Sequence, residues 1–390
     1  MHGEATTIDS TIDPVLRDGY EIHAAALERG LDVTLLPRQV MMVGSGNPVL
    51  GDASFVHGVP QASTVAGVTY VQDKRVRRAL LQREGFTVPR GATFSIGRSA
   101  DDSVTFAERI GYPVTVKPTM GDNTIGVIPQ IADSDQMWQA IEYLHTPFES
   151  RSDFTRASYA MTELREPGFR DGVPVAPPSY RYLVEKHISG DYVRALIIDG
   201  SVRNVMLCPK GPWNSSHEQL LDVTERLNGE IASYIVEAAK VIPGLSVVAI
   251  DIVVPNLAST RSRQDMHIVE YSERPWLHVQ HSHRPELARK LATEILTFEM
   301  NGRPLGTLQE TVSANVRIDG AVAPEKFLSA FVDSCDRLEV NRDLNVSDPA
   351  LGHITGHLMG APDHIAWLME SALDQGLDGQ RAMLAELHQL

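Results

Sequence analysis

The chain of 390 residues carries 35 Lys and Arg against 50 Asp and Glu, a formal net charge of −15, and is 43% hydrophobic and 22% charged. That is the composition of a globular protein of two or three domains, and it excludes disorder, collagen and coiled coil. The acidic balance argues against nucleic acid as a partner, because neutralising phosphates takes clustered Lys and Arg.

The opening MHGEATTIDSTID has neither a basic nor an apolar stretch, so no secretory leader is expected. The longest apolar run, around 245–255, is about half the ~20 residues that a membrane helix needs, so no membrane partner is expected. Cys208 and Cys335 are too few for a disulfide framework or a metal cluster and read as small buried hydrophobes. The cytoplasm is the expected location. A helical stretch over 15–29 stops at Gly30 and a strand follows over 31–36, in an N-terminal region that otherwise reads as Gly-rich loop. From Asp73 the pattern sharpens: Val76, Ala79, Leu80 and Arg83 at helical spacing end at Gly85. Ser99 opens a helix with Val104, Ala107 and Ile110 as its stripe and Gly111 as its stop, and 114–117 reads as a strand. Ser134 opens another helix, with Met137, Ala140, Ile141 and Leu144 inward.

Residues 145–180 are polar and Pro-bearing and read as a loop or flap. Strands are expected over 182–188, 192–198 and 201–208, the last two joined by Asp199-Gly200, a strong two-residue hairpin signal. A helix over 225–241, strands over 247–254 and 266–271 and a helix over 285–298 follow. The remainder reads strand, helix (324–338), two strands, helix (362–375). The fold class is α+β.

Two carboxylates interrupt apolar strands: Asp251 in VVAIDIVV and Glu270 at the end of MHIVE. An ionised carboxylate in a dry strand is costly unless paired or metal-bound. If 247–254 and 266–271 form a hairpin about the polar segment 255–265, then 251 and 270 fall opposite each other, with Cβ atoms ~5 Å apart. Like charges there call for a cation between them, and hard oxygens suit Mg²⁺ held partly by substrate phosphates. The alternative is a structural salt bridge to one arginine plus a solvent-facing acid, and the pattern alone does not choose. Lys117 ends the strand VTVKP before the loop TMGDNTIGV, whose N–H groups and point charge suit phosphate. The chain has no GxxxxGK[ST], and the glycines of GSGNPVLG at 44–51 have the wrong spacing for a dinucleotide fingerprint.

Taken in order, DKRVRRALLQREGFTVPRG, GYPVTVKPTMGDNTIGV, YLVEKHISGDYVRALIIDGSVRNV, VVAIDIVV and HIVEYSERPWLHVQH resemble the motifs of ATP-grasp carboxylate–amine ligases, over about residues 73–298. The likeness is to the ATP-grasp part of cyanophycin synthetase and of bifunctional glutathione synthetase, with D-alanine–D-alanine ligase more distant. It implies the ATP-grasp fold, two α+β subdomains gripping ATP, over 73–305, after an N-terminal segment over 1–72. Residues 306–390 resemble an acylphosphatase-like ferredoxin fold, but its phosphate-gripping arginine is missing and DGAVAPEK offers only Lys326, so a binding, docking or dimerisation module is expected.

The resemblance implies roles residue by residue. Lys74 and Lys117 contact nucleotide phosphates, and the loop with Gly121, Thr124 and Gly126 closes over them. Glu185 and Lys186 frame the adenine, and Asp191 is the nearest acid for the ribose. Arg194 faces the phosphate or acyl group, and Arg274 lies near the acyl phosphate. Asp251, Glu270 and Ser272 hold Mg²⁺, with Mn²⁺ as a substitute. The chain departs from the family at Tyr192, where a ribose-binding acid is usual, at Ser272, where the third ligand is usually Asn, and in MLCPKG, where Lys210 is the nearest cation. Period-2 alternation puts Arg203 on the face of Arg194.

The implied reaction is ATP-dependent and ADP-forming, joining an amino-acid or peptide carboxylate to an amine through an acyl phosphate, with no nucleophilic side chain needed. A homodimer is the default assembly. Two competing functions stand beside it. One is a nucleotide-binding module without catalysis, motivated by Tyr192 and Ser272. The other is a histidine-metal enzyme using His278, His281 and His283 of HVQHSH, which read as a loop.

Overall fold

The structure is a computed structural model that describes residues 12–45, 52–120, 126–147, 150–151, 168–175, 180–211, 219–259 and 262–390. The chain forms two compact units: Ser63–Glu273, and the described residues up to Ala62 together with Arg274–Leu390. This division differs from the boundaries expected at 72/73 and 305/306. The N-terminal strand Asp32–Leu36 pairs with Leu384–Gln389, a strand not expected from the sequence, so the two chain ends share one sheet.

In that sheet the order is Asn341–Asp348, His353–Gly360, Val312–Asp319, Leu384–Gln389, Asp32–Leu36, Val40–Gly44, Ala53–Val56 and Val59–Pro60. The region expected as loop after Leu36 thus holds three short strands. Each is short, and partners only its neighbour in sequence, which leaves little periodicity to read. Residues 312–389 run strand, helix (Pro324–Arg337), strand, strand, helix (Pro362–Glu370), strand.

The Ser63–Glu273 unit has two main sheets. One has the order Gly91–Ser95, Arg181–Lys186, Val114–Pro118, Ile128–Ile131. The other has Leu221–Asp222, Ser201–Leu207, Asp191–Ile198, Val247–Val254, His267–Ser272. The core of the second is made by Val193, Ala195, Ile197, Ile250 and Ile252 packed on Ile231, Tyr234, Ile235 and Ala238 of the helix Gly229–Ala239. Those strand residues are the odd-numbered ones of one strand and the even-numbered ones of its neighbour, as antiparallel register demands. The intervening residues, Arg194 and Asp251 among them, therefore face the other way.

The Asp199-Gly200 hairpin forms as expected, with φ of 48° and 65° and Ile198 paired to Ser201. A register shift between Leu196 and Ile197 leaves Arg203 as an extra, exposed residue of the facing strand. At the other end of the hairpin Gly190 has φ +154° and packs so closely that a Cβ would stand 2.1 Å from the Val254 carbonyl oxygen. Among the described residues no helix is long and apolar enough to cross a membrane.

Candidate active site

Asp251 lies in Val247–Val254, a strand buried along its whole length. Its Cα partners are Arg194 on one side and Glu270 on the other, so three charged side chains share one face of the five-stranded sheet. The hairpin is not symmetric: a shift between Asp251 and Ile252 makes Val269 an extra residue, and 251 and 270 pair all the same. Ser272 stands opposite Ala249, two residues beyond Glu270 and hence on the same face.

Asp251 is 1% exposed, and a buried carboxylate must be compensated. Arg194 does this with two bonds, Nε donating to Oδ1 at 2.6 Å and Nη2 to Oδ2 at 2.7 Å. The Tyr192 hydroxyl donates to Oδ2 at 2.5 Å. Burial, with the Asp251 charge beside it, pushes the Tyr192 phenol well above its usual range and keeps it a donor. Burial alone would lower the Arg194 guanidinium, but Asp251 outweighs it and raises it. This is the salt bridge that the alternative reading of Asp251 describes. Glu270 is not simply solvent-facing, however: its side chain keeps 30% exposure and is ion-paired to Arg77. Burial acts to raise the Glu270 carboxyl, while Arg77, Lys117 and Lys74 together hold it down at about 2.

The cations around Glu270 come from elements outside its own sheet. Lys117 sits in Val114–Pro118, buried throughout, and its Nζ lies 2.6 Å from Glu185 Oε1. The same Nζ donates to the Val269 carbonyl at 3.1 Å and so ties the four-stranded sheet to the five-stranded one. Arg78 Nη1 donates to Glu185 Oε2 at 2.7 Å. Lys74 is the first residue of the helix Lys74–Arg83, capped by Asp73, and is 4% exposed. The buried face of that helix is Lys74, Arg77 and Leu81, not the Val76, Ala79, Leu80 and Arg83 stripe expected. The helix turns its cations inward because two acids, Glu185 and Glu270, wait there. The space lined by Lys74, Arg77, Lys117 and Glu270 is about 10 Å³, room for one water.

Lys186 Nζ donates to the carbonyls of Gly111 and Tyr112, both at 2.9 Å, and Asp191 Oδ2 accepts from the Leu257 N–H at 2.6 Å. Gly126, with φ +70°, packs on Pro118. Gly121 and Thr124 lie outside the described residues, as does most of the expected flap at 145–180. Arg274 belongs to the other unit, where it pairs with Asp18 at 3.2 Å and covers the Trp276 ring at 4.2 Å. Asp18 is fully buried and also accepts from the Leu277 N–H at 2.7 Å.

The HVQHSH segment is a short helix, His278–His283, rather than a loop. His281 Nδ1 lies 3.1 Å from Glu21, which also pairs with Arg289. Among the described residues no three His, Cys, Asp or Glu side chains converge as a metal-ligand set. Reading the sequence missed Arg77, Arg78 and the Tyr192–Asp251 bond. Only Tyr192 carried a signal, a departure from the resembled motif next to the expected site residue Asp191.

No protein-family model matches the chain, and no curated protein matches it. Among solved structures it is similar to D-alanine–D-alanine ligase from Bacillus anthracis complexed with ATP, at 16% identity and a TM-score of 0.41 over 61% of this chain and 66% of that one. A bifunctional glutathione synthetase from Pasteurella multocida matches at 14% identity and a TM-score of 0.39, over 67% of this chain and 40% of the synthetase. The ATP-grasp ligase PsnB complexed with minimal precursor, Mg and ADP matches at 15% identity and a TM-score of 0.39, over 61% and 62%. The chain thus spans less than two thirds of each, and at these scores the likeness assigns it neither a reaction nor a substrate.

Proposed function

We propose that the chain is an ATP-dependent, ADP-forming carboxylate–amine ligase of the ATP-grasp type, making a peptide or amide bond of dipeptide or γ-glutamyl type through an acyl phosphate. One observation carries the reading: Asp251 and Glu270 are register partners, with Ser272 on their face and Lys74 and Lys117 acting on Glu270 from outside that sheet. Two carboxylates and a hydroxyl are a hard-oxygen set of the kind Mg²⁺ takes. Asp251 has three of its roughly four acceptor positions filled by Arg194 and Tyr192, which leaves one, and Glu270 is ionised at neutral pH. The residues therefore fit Mg²⁺, which when bound would neutralise charge on the transferring phosphoryl group.

In this reading Lys117 and Lys74 hold the nucleotide phosphates. For that, Lys117 must exchange Glu185 for phosphate oxygens, since the cavity beside it has room for only one water. The substrate carboxylate attacks the γ-phosphorus, and the bond to the ADP oxygen breaks. The amine then attacks the acyl phosphate carbonyl, expels phosphate and loses a proton. Arg194 acts through Asp251. The strand order of residues 312–389 supports a ferredoxin-like topology, for which the proposed role is an acylphosphatase-like docking or dimerisation module. ATP and Mg²⁺ are the expected cofactors and the cytoplasm the expected location.

A second reading, nucleotide binding without catalysis, is favoured by the pairing of Lys117 with Glu185 and of Asp251 with Arg194. A screen of amino-acid pairs for ADP release, with mass detection of the amide, separates the two. The ligase reading expects release that needs both acid and amine and that disappears in Lys117→Ala. Nucleotide binding without turnover for any pair favours the second.

A further inference from the structure

The mechanism above assigns nothing to Tyr192, yet it makes the shortest bond to Asp251. Its backbone is fixed on both sides: Tyr192 pairs with Val253, and its carbonyl accepts from the Cys208 N–H at 2.7 Å. The hydroxyl is then delivered to Oδ2 at 2.5 Å, the oxygen that also accepts from Arg194 Nη2. Among the described residues Oδ1 accepts from Arg194 Nε alone. With two donors on Oδ2 and one on Oδ1, the open acceptor position belongs to Oδ1. Hydrogen-bond partners of a ligating carboxylate fix its orientation and tune its affinity.

We propose that Tyr192 is a positioning residue: by filling Oδ2 of Asp251 together with Arg194, it leaves Oδ1 as the single oxygen offered to a divalent cation shared with Glu270. The proposal rests on the ligase reading for the presence of a cation on this face. It explains the departure from the family at 192, where the acid usual for ribose contact would stand beside Asp251 as a like charge. It also makes Asp251 a one-oxygen ligand, with Glu270 and Ser272 completing the protein's share.

The test uses the full chain with Mn²⁺ and an ATP analogue whose β–γ bridge is nitrogen, free Mn²⁺ being read by electron paramagnetic resonance. Tyr192→Phe removes one hydroxyl at nearly constant volume, and its melting curve verifies the fold. Mn²⁺ affinity is expected to fall about 10–100-fold in Tyr192→Phe and to be lost in Asp251→Asn. If Asp251→Asn loses Mn²⁺ while Tyr192→Phe stays within about 2-fold of the parent, the positioning role is overturned and the ligase reading stands. If Asp251→Asn binds Mn²⁺ as the parent does, or the parent holds none beyond the analogue's own, the metal face fails and the role of Tyr192 falls with it.

Discussion

Both units set an arginine among carboxylates, buried in one and half-buried in the other, and they use it differently. On the five-stranded sheet Arg194, 2% exposed, meets one acid among the described residues, Asp251. In the other unit Arg289 meets three: Glu21 at 3.0 Å, Glu28, and Asp363 at 2.5 Å. Those acids come from the helix Arg17–Glu28 and the start of Pro362–Glu370, while Arg289 sits on Pro285–Glu299. Arg289 is a staple between three helices, whereas Arg194 orients an acid whose neighbour across the ladder is another acid. A buried arginine is therefore informative through what stands beside its partner.

The comparison breaks most sharply at turnover. Lys117→Ala and Asp251→Asn are expected to lower acid- and amine-dependent ADP release at least 10²–10³-fold, the cost of removing a preorganised charge, and Arg289→Met to leave the reaction rate per folded molecule unchanged. Rate loss in Arg289→Met comparable to that in Lys117→Ala would erase the distinction. Stability does not follow the same division: Arg289→Met leaves Glu21, 2% exposed, with Arg17 and His281 still beside it, and should cost about 1–3 kcal/mol by urea unfolding.

Acid titration sharpens it next. The folded Glu270 carboxyl lies at about 2, below its unfolded value near 4.5. A lowered acid gives stability that is present above the unfolded value and lost as pH falls through the folded one. Unfolding free energy should thus decline between about pH 4.5 and 2, and Glu270→Gln should remove about 1–2 kcal/mol of that decline once solvent screening is allowed for. An unchanged profile would mean that Arg77 and the lysines do not act on Glu270.

How much of this could be read from the chain depends on where the constraint lies. The strands 247–254 and 192–198 announce themselves, because each is a run of apolar residues broken by a single charge, and Asp199-Gly200 fixes their neighbour's register. The face shared by Asp251 and Glu270 follows from the hairpin counted about 255–265, and the pair stands although the register shifts at Ile252. Arg77 and Arg78 were not legible, since cations on an amphipathic helix look solvated unless the acids they meet are known to lie across it. The pairing of Asp32–Leu36 with Leu384–Gln389 is likewise silent, because nothing local in either segment names a partner some 350 residues away. Arg274 shows the limit of motif order: its neighbour Glu273 bonds Gln72 in one unit while Arg274 bonds Asp18 in the other.

The smallest effect tests the histidines. Burial acts to raise the Glu21 carboxyl, but the bond from His281 and the charges of Arg289 and Arg17 hold it below its usual range. His281→Gln removes one of these partners and leaves both arginines, so the loss should be about 1 kcal/mol, the worth of a single hydrogen bond. Because Glu21 is a lowered acid, its stability is present above the unfolded value and lost as pH falls through the folded one. Weakening the partner raises the folded value, so acid unfolding of His281→Gln should begin at higher pH than in the parent, read from melting temperature between about pH 3 and 6. A histidine that held a metal would behave otherwise. Elemental analysis of the parent would find a transition metal, and a chelator would lower its melting temperature while leaving His281→Gln unmoved. The expected result is no transition metal and no chelator effect, with Glu21 keeping His281 as one more strut of the Arg289 staple.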